Sequence, residues 1–242
     1  MARPVAVVTG ATGGIGSAIS RLLSADHDVV GLYHAADEAR RREWTRACGS
    51  GASLLQVDLL DSDATLELTQ RLAADFQPVL LVNCAGVTAD AMFRRMRLAQ
   101  WEHVIRTNLL ALFATTQPIF ASMCEANGGL VVNIGSVNGV RGQAGQCNYA
   151  AAKAGMHGFT MSLAREGAGY GVRAVTVSPG YTDTNMIAAL RDDVRDAIRA
   201  QVPLGRFAAP EEIAAVVAFL ASPGGAYITG ADIPVNGGLH IA

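Results

Sequence analysis

The chain of 242 residues is half apolar and 17% charged, enough to fill one hydrophobic core without disulfide or metal staples. Its formal net charge of −2 excludes the positive field of a nucleic-acid binder, and no apolar run approaches the roughly 18 residues that span a bilayer. A strand-like segment at 5–9 leaves no room for a signal peptide, and the four cysteines, Cys48, Cys84, Cys124 and Cys147, form no CxxC pair, so the expectation is a cytoplasmic protein with no metal.

Short β-rich apolar runs recur at 5–9, 29–33, 54–57, 79–83, 130–134, 173–178 and 232–235. Helical patterns separate them. In the first, Ile15, Ala18, Ile19, Leu22 and Leu23 make one apolar face. Nearly continuous apolar strands alternating with helices predict an α/β chain: a mostly parallel sheet of about seven strands covered on both sides, in a single doubly wound, Rossmann-like domain over 1–242. One stretch breaks the rhythm. Over 183–205, Met186, Ile187, Leu190, Val194, Ile198 and Val202 predict an amphipathic helical insertion, either an ordinary surface helix or a lid over a site.

The first strand runs straight into Gly10-Ala11-Thr12-Gly13-Gly14-Ile15-Gly16 and then into a helix. Strand, glycine turn and helix N-terminus let backbone amides and the helix dipole meet a pyrophosphate, so this is a candidate dinucleotide site. Further on, Tyr149 and Lys153 stand four apart in an Ala-rich helical segment, which projects them from one face. All but one of the 19 basic residues are arginine, and the exception is Lys153. A tyrosine that exchanges a proton near neutral pH needs its ordinary value near 10 lowered, and an adjacent ammonium would do this. Ser136, after the strand at 130–134, can donate to a substrate carbonyl or alkoxide.

The loop spacing TGxxxGxG, the separation of Ser136 from Tyr149-xxx-Lys153, and the Ser178-Pro179-Gly180 segment resemble the short-chain dehydrogenase/reductase family over essentially the whole chain. The resemblance implies a catalytic set of Asn108, Ser136, Tyr149 and Lys153, with Asn108 holding a water of a proton relay to Lys153. It also implies that Gly10, Thr12, Gly13, Gly14, Ile15 and Gly16 hold the pyrophosphate and that Asp58 and Leu59 meet the adenine. Asn83, Ala85 and Gly86 would flank the adenosine ribose, Tyr149 and Lys153 the nicotinamide ribose, and Pro179, Gly180 and Thr182 the carboxamide. Cys84 stands where the family usually has a second Asn.

At the end of the second strand, an acid would bond a ribose 2′-hydroxyl and repel a 2′-phosphate. Tyr33 occupies that position, His34 follows, and Arg40, Arg41 and Arg42 lie just beyond, which favours NADPH although Asp37 and Glu38 are close by. Within the family, segments such as 136–139, 142–149 and 235–240 are most similar to the 3-oxoacyl-acyl-carrier-protein reductases and acetoacetyl-CoA reductases. The resemblance implies NADPH-dependent reduction of a 3-oxoacyl thioester, with Gln143, Gln146 and Tyr181 lining the acyl pocket. Arg94, Arg95, Arg97 and Arg141 could meet either the phosphates of CoA or an acidic carrier-protein surface. A ketoreductase acting on a polyketide or free ketone, and a non-catalytic NADPH-binding relative, are the alternative readings. Apolar helices starting at Trp101 and near Tyr149, with Ile241 and Ala242 at the end of the chain, are expected to assemble a homotetramer.

Overall fold

In the computed structural model, residues 3–188 and 191–241 are described, without the side chains of Asn185 and Met186. Seven parallel strands form one sheet in the order β3-β2-β1-β4-β5-β6-β7. They are β1 (Val5–Thr9), β2 (Asp28–Tyr33), β3 (Ser53–Gln56), β4 (Leu80–Asn83), β5 (Gly129–Ile134), β6 (Val172–Pro179) and β7 (Asp232–Val235). Each lies within two residues of its predicted segment. The order reverses between β1 and β4, and a doubly wound sheet opens a crevice beyond the strand ends at such a point.

Strand side chains alternate between two cores. Ala6, Val8, Leu80, Val82, Leu130 and Val132 pack beneath α1 (Gly14–Leu23), α2 (Glu38–Cys48) and α10 (Pro210–Ala221), against Ile19, Trp44, Ile213, Val217 and Leu220. Val7, Leu81, Val131 and Ala174 pack beneath α3 (Ser62–Phe76), α5 (Ala111–Glu125) and α7 (Cys147–Gly167), against Leu72, Ile119, Met123 and Leu163. Covered on both faces, the strands carry the unbroken apolar runs seen in the sequence.

Two helical expectations change. The segment expected as one helix from Trp101 is α4 (Leu98–Ile105), a π turn at Arg106–Leu110, and α5. The π turn inserts extra backbone just where Asn108 turns inward. The expected insertion at 183–205 is α8 (Asn185–Ala188) and α9 (Asp192–Arg199), with α6 (Asn138–Arg141) the short helix preceding α7. Ile187 and Val202 are buried and Val194 and Ile198 half-buried, as the amphipathic reading requires, whereas Leu190 and Ala242 lie outside the described residues.

Inside the α5 and α7 layer, a file of buried polar side chains crosses three strands. Asn83, Asn133 and Thr176 are register partners on β4, β5 and β6. Asn83 Nδ2 donates to Asn133 Oδ1 at 2.8 Å and Thr116 Oγ1 at 3.0 Å, while Thr115 donates to Asn83 Oδ1 at 2.8 Å. Asn133 Nδ2 and the Thr176 hydroxyl both donate to Thr160 Oγ1 at 2.8 Å. Each of these groups is removed from water and satisfied by another, which makes the file cooperative. Asn133→Ala is expected to cost about 2 kcal/mol by stranding partners on both sides. Urea unfolding measures it, and a loss below about 0.5 kcal/mol would mean that the file adds nothing beyond ordinary packing.

Candidate active site

Beyond the ends of β1 and β4, Thr9 Oγ1 accepts from Cys84 N at 3.0 Å and Ala85 N at 3.1 Å, pinning the two strand ends together. Gly10 has φ +65°, and a Cβ there would lie 2.8 Å from Ala85 Cα. A Cβ on Gly16 would run into the Gly10 carbonyl. The loop therefore presents bare backbone, with Thr12 and Ile15 half-buried beside it. α1 begins at Gly14 with Gly13 as an N-cap that gives no side-chain bond, and its first turn holds no acid. An uncapped helix N-terminus behind an open glycine loop suits a diphosphate.

At the end of β2 the Tyr33 phenol is buried and accepts from Arg41 at 3.3 Å. Arg40, the arginine expected here, is exposed, and its amide donates to Asp37 Oδ1 at 2.7 Å. Arg42 pairs with Glu38. One residue further along α2 turns a side chain by about 100°, so Arg41 and not Arg40 faces the strand end. Both nearby acids are thereby occupied, Asp37 as N-cap and Glu38 by Arg42. His34 lies 3.6 Å from Asp58 Oδ1, which also accepts from Leu60 N at 2.9 Å, with Leu59 half-buried between.

Asn83 and Asn108 both spend their amides inside the protein. The Asn83 side chain belongs to the buried file, leaving only its backbone toward the crevice, beside Ala85 and Gly86. Asn108 Oδ1 accepts from Val87 N and its Nδ2 donates to Val87 O, each at 2.8 Å. Both amide atoms of Asn108 thus hold the Val87 backbone. The effect is to fix Gly86 and Val87: a Cβ on Gly86 would stand 3.4 Å from Asn108 Oδ1 and 3.6 Å from Lys153 Nζ.

Ser136, Tyr149 and Lys153 converge. Ser136 is buried just past β5 with its hydroxyl beside the Tyr149 phenol, and its Oγ accepts from Asn138 N at 3.2 Å. Lys153 Nζ donates to Ile134 O at 2.7 Å and lies 5.7 Å from the centre of the Tyr149 ring. Burial pushes the Lys153 ammonium down to about 8, against a smaller opposing influence of Cys84. Burial raises the Tyr149 phenol, more than the Ser136 hydrogen bond lowers it, with Cys84 and Asp90 adding to the rise. The net lowering expected for Tyr149 is therefore not found in this arrangement. The ammonium is spent on a backbone carbonyl beside the ring, and desolvation of the phenol prevails.

Around the mouth, Gln146 accepts from Asn138 Nδ2 at 2.9 Å and donates to Asp90 at 2.8 Å, while Arg141 donates to Asn138 Oδ1 at 3.1 Å and Gln143 Oε1 at 3.0 Å. Tyr181 stands apart from this rim. It packs edge-on to Phe207 at 6.4 Å and lines a cavity of about 220 Å³ with Val202, Leu204, Arg206 and Asn236. Pro179 O accepts from Val137 N at 2.9 Å, tying the end of β6 to the Ser136 loop, and Gly180 N donates to Val235 O at 2.9 Å. Thr182 is buried, its hydroxyl 3.4 Å from Gly180 O.

Two further residues come from the structure. Asn148 donates to Ala89 O and Gln100 O and accepts from Tyr149 N at 2.8 Å, anchoring the start of α7. Its place immediately before Tyr149 is a signal that could have found it. Thr184 lies over the glycine loop, 2.7 Å from where a Cβ of Gly14 would be, a tertiary approach with no local signature. Gly10→Ala is expected to weaken dinucleotide binding at least about tenfold, because the methyl meets Ala85 Cα in a left-handed backbone conformation. Fluorescence titration measures it, and an unchanged affinity would contradict the close-approach argument.

A family model described as short chain dehydrogenase matches residues 4–195. An acetoacetyl-CoA reductase of Allochromatium vinosum is 46% identical over the full length of both chains, and one of Acinetobacter is 47% identical over 98% of each. A 3-oxoacyl-acyl-carrier-protein reductase of Vibrio cholerae is 42% identical over 98% of this chain and 97% of its own. The crevice at the sheet reversal, the bare glycine loop and the Ser136–Tyr149 pair thus coincide with a full-length match: the chain belongs to the short chain dehydrogenase family and is an oxidoreductase acting on a CH–OH group.

Proposed function

We propose that the chain reduces the ketone of a 3-oxoacyl thioester to the 3-hydroxyacyl thioester, with NADPH as reductant. The observation that carries this reading is the convergence of the Ser136 hydroxyl and the Tyr149 phenol beside the buried Lys153 ammonium, two O–H donors able to share one carbonyl oxygen. The bare backbone of the glycine loop and the uncapped α1 fit a dinucleotide diphosphate. In this reading Gly10, Thr12, Gly13, Gly14, Ile15 and Gly16 hold the diphosphate, and Asp58 and Leu59 meet the adenine. The Asn83 backbone, Ala85 and Gly86 flank one ribose, Tyr149 and Lys153 the other, and Pro179, Gly180 and Thr182 hold the carboxamide. When bound, the nicotinamide supplies a hydride to the carbonyl carbon.

Ser136 Oγ donates to the carbonyl oxygen, and Tyr149 gives that oxygen its proton as negative charge develops there. A raised phenol suits this direction, since burial keeps Tyr149 protonated and ready as an acid. The Lys153 ammonium then stabilises the phenolate left behind. The preference for NADPH is supported by Arg41 at Tyr33, by His34, and by the commitment of Asp37 and Glu38 to other partners.

Two thioester carriers fit, as the names of the relatives suggest: CoA and acyl carrier protein. Arg141 is engaged by Asn138 and Gln143, and Arg97 by Gln100. Arg94 and Arg95 are exposed and make no ion pair among the described residues, so they are the guanidiniums left for carrier phosphates or carboxylates. Gln143 and Gln146 would border the acyl group from the rim, and Tyr181 from the segment after β6. Exposed Leu98, Leu110, Phe113 and Met161 on α4, the π turn, α5 and α7 support a homotetramer. The four free thiols accord with a cytoplasmic setting, and no helix among the described residues is long and apolar enough to cross a membrane.

Initial rates with acetoacetyl-CoA, with the same acyl group on a carrier protein and with a bulky cyclic ketone, each with NADPH and NADH, test the proposal. Faster turnover of a thioester with NADPH is expected, and Tyr149→Phe should lower kcat about a thousandfold while leaving NADPH affinity intact. Turnover of the cyclic ketone alone would move the substrate class, and tight NADPH binding with no turnover would point to a non-catalytic role. The reduction rate should hold below pH about 8 and fall above it, because Lys153, with its value lowered to about 8, carries its charge only below that point. A pH–rate profile flat to pH 10 would mean that this charge is not used.

A further inference from the structure

His157 stands one turn beyond Lys153 on α7, as Lys153 stands one turn beyond Tyr149, so the three follow one stripe of the helix. The reaction described above uses the first two and leaves His157 unassigned. Its Nδ1 lies 3.5 Å from Asp232 Oδ2, and its Nε2 is buried without a hydrogen-bond partner among the described residues. Asp232 opens β7, and its other oxygen accepts from the buried Ser178 hydroxyl at 2.6 Å. Both acid oxygens are thus engaged from two different elements.

Ser178 leads back to the catalytic group. A Cβ on Gly135 would lie 2.7 Å from Ser178 Oγ and 2.7 Å from Thr176 Cγ2, so the Ser178 hydroxyl fills the space against Gly135. Gly135 N donates to Val177 O at 2.7 Å. On one side of Gly135 is Ile134, whose carbonyl accepts from Lys153, and on the other is Ser136, whose hydroxyl lies beside the Tyr149 phenol. A serine hydroxyl on a carboxylate makes a charge-assisted bond that holds one rotamer. In a close-packed interior a shift of that hydroxyl is passed to whatever abuts it.

We propose that Asp232, gripping Ser178 and faced by His157, is a positioning residue for the ketone reduction. It holds the Ser178 hydroxyl against Gly135 and thereby sets where the neighbouring Ser136 hydroxyl stands relative to Tyr149. The inference rests on the reading of Ser136, Tyr149 and Lys153 as the proton-transfer set. Asp232 and Ser178 touch no reacting atom in this scheme and act through Gly135.

The test compares Ser178→Ala and Asp232→Asn, each alone and combined with Ser136→Ala. Each single change is expected to lower kcat about tenfold, the scale of a sub-ångström misplacement, with NADPH affinity by fluorescence titration within about twofold of the wild type. In the Ser136→Ala background the same changes should alter kcat by less than about twofold, since the group they position is gone. A substrate-free readout runs beside the kinetics: the ¹³Cζ resonance of Tyr149, assigned by its loss in Tyr149→Phe. It should move in Ser178→Ala toward its position in Ser136→Ala. Losses that persist undiminished without Ser136, or a Tyr149 resonance that Ser178→Ala leaves in place, overturn the proposal. Should Asp232→Asn fail to fold, Ser178→Ala decides alone, since it removes one hydroxyl. The resonance needs no turnover, so a wild type inactive on every thioester counts against the ketoreductase reading, whereas an unmoved resonance counts against the positioning role.

Discussion

The parallel register of β1, β4, β5 and β6 is the constraint on which the site depends. It brings four strand ends to one edge, and each end carries a different part: the glycine loop, Gly86 with Val87, Ser136, and Pro179 with Gly180. A slip of one residue would turn each strand's core side chains to the opposite face. The buried polar file of Asn83, Asn133, Thr160 and Thr176 opposes such a slip, because those side chains satisfy one another only when β4, β5 and β6 stand level. Apolar packing alone would tolerate more ways of stacking the same strands.

Lys153 is the most expensive side chain in the fold. A nearly fully buried ammonium loses its hydration and gains a single backbone carbonyl in return, with the Tyr149 ring alongside. The fall of its value to about 8 expresses that cost. The sign follows directly: between about 8 and the ordinary lysine value the unfolded chain binds the proton more firmly, so burial works against stability at neutral pH and is relieved as pH rises. An arginine, which stays charged under all ordinary conditions, would find no such relief. In a chain that uses arginine at every other basic position, the one lysine stands where a compact, titratable cation is required.

Most of the fold was legible because its signals are local and periodic. Apolar strand runs, the amphipathic face of α1 and the glycine turn predicted the architecture and the crevice to within a few residues. The approach of Ser136 to Tyr149 was legible only through the resemblance, whose Ser and Tyr-xxx-Lys separation this chain shares. What escaped depends on which way a side chain turns. The side-chain amides of Asn108 and Asn83 turn into the protein, at a π turn and a buried file. Arg40 and Arg41 cannot be told apart by composition, and only the pitch of α2 decides between them. Thr184 reaches Gly14 from the far end of the chain, and tertiary approaches of that kind leave no trace in a single sequence. The net direction for Tyr149 differs from the expectation for an electrostatic reason, since proximity in sequence says nothing about burial, and burial dominates here.

The polar rim at the mouth has a consequence for substrate selection. Asn138, Arg141, Gln143, Gln146 and Asp90 already satisfy one another around the entrance. A ligand that offers a hydrogen bond to this rim must first break one, so the net gain from each such contact is small. Discrimination then falls on shape at the rim and on groups with nothing to surrender. Ser136 and Tyr149 are such groups for the carbonyl oxygen, two neighbouring hydroxyls that can turn to the substrate without stranding a charge. Arg94 and Arg95 are such groups at the surface, where an anionic carrier replaces only water. A thioester that is apolar near the ketone and anionic at its far end matches that division, whereas a compact polar ketone would compete with the rim for bonds it has already made.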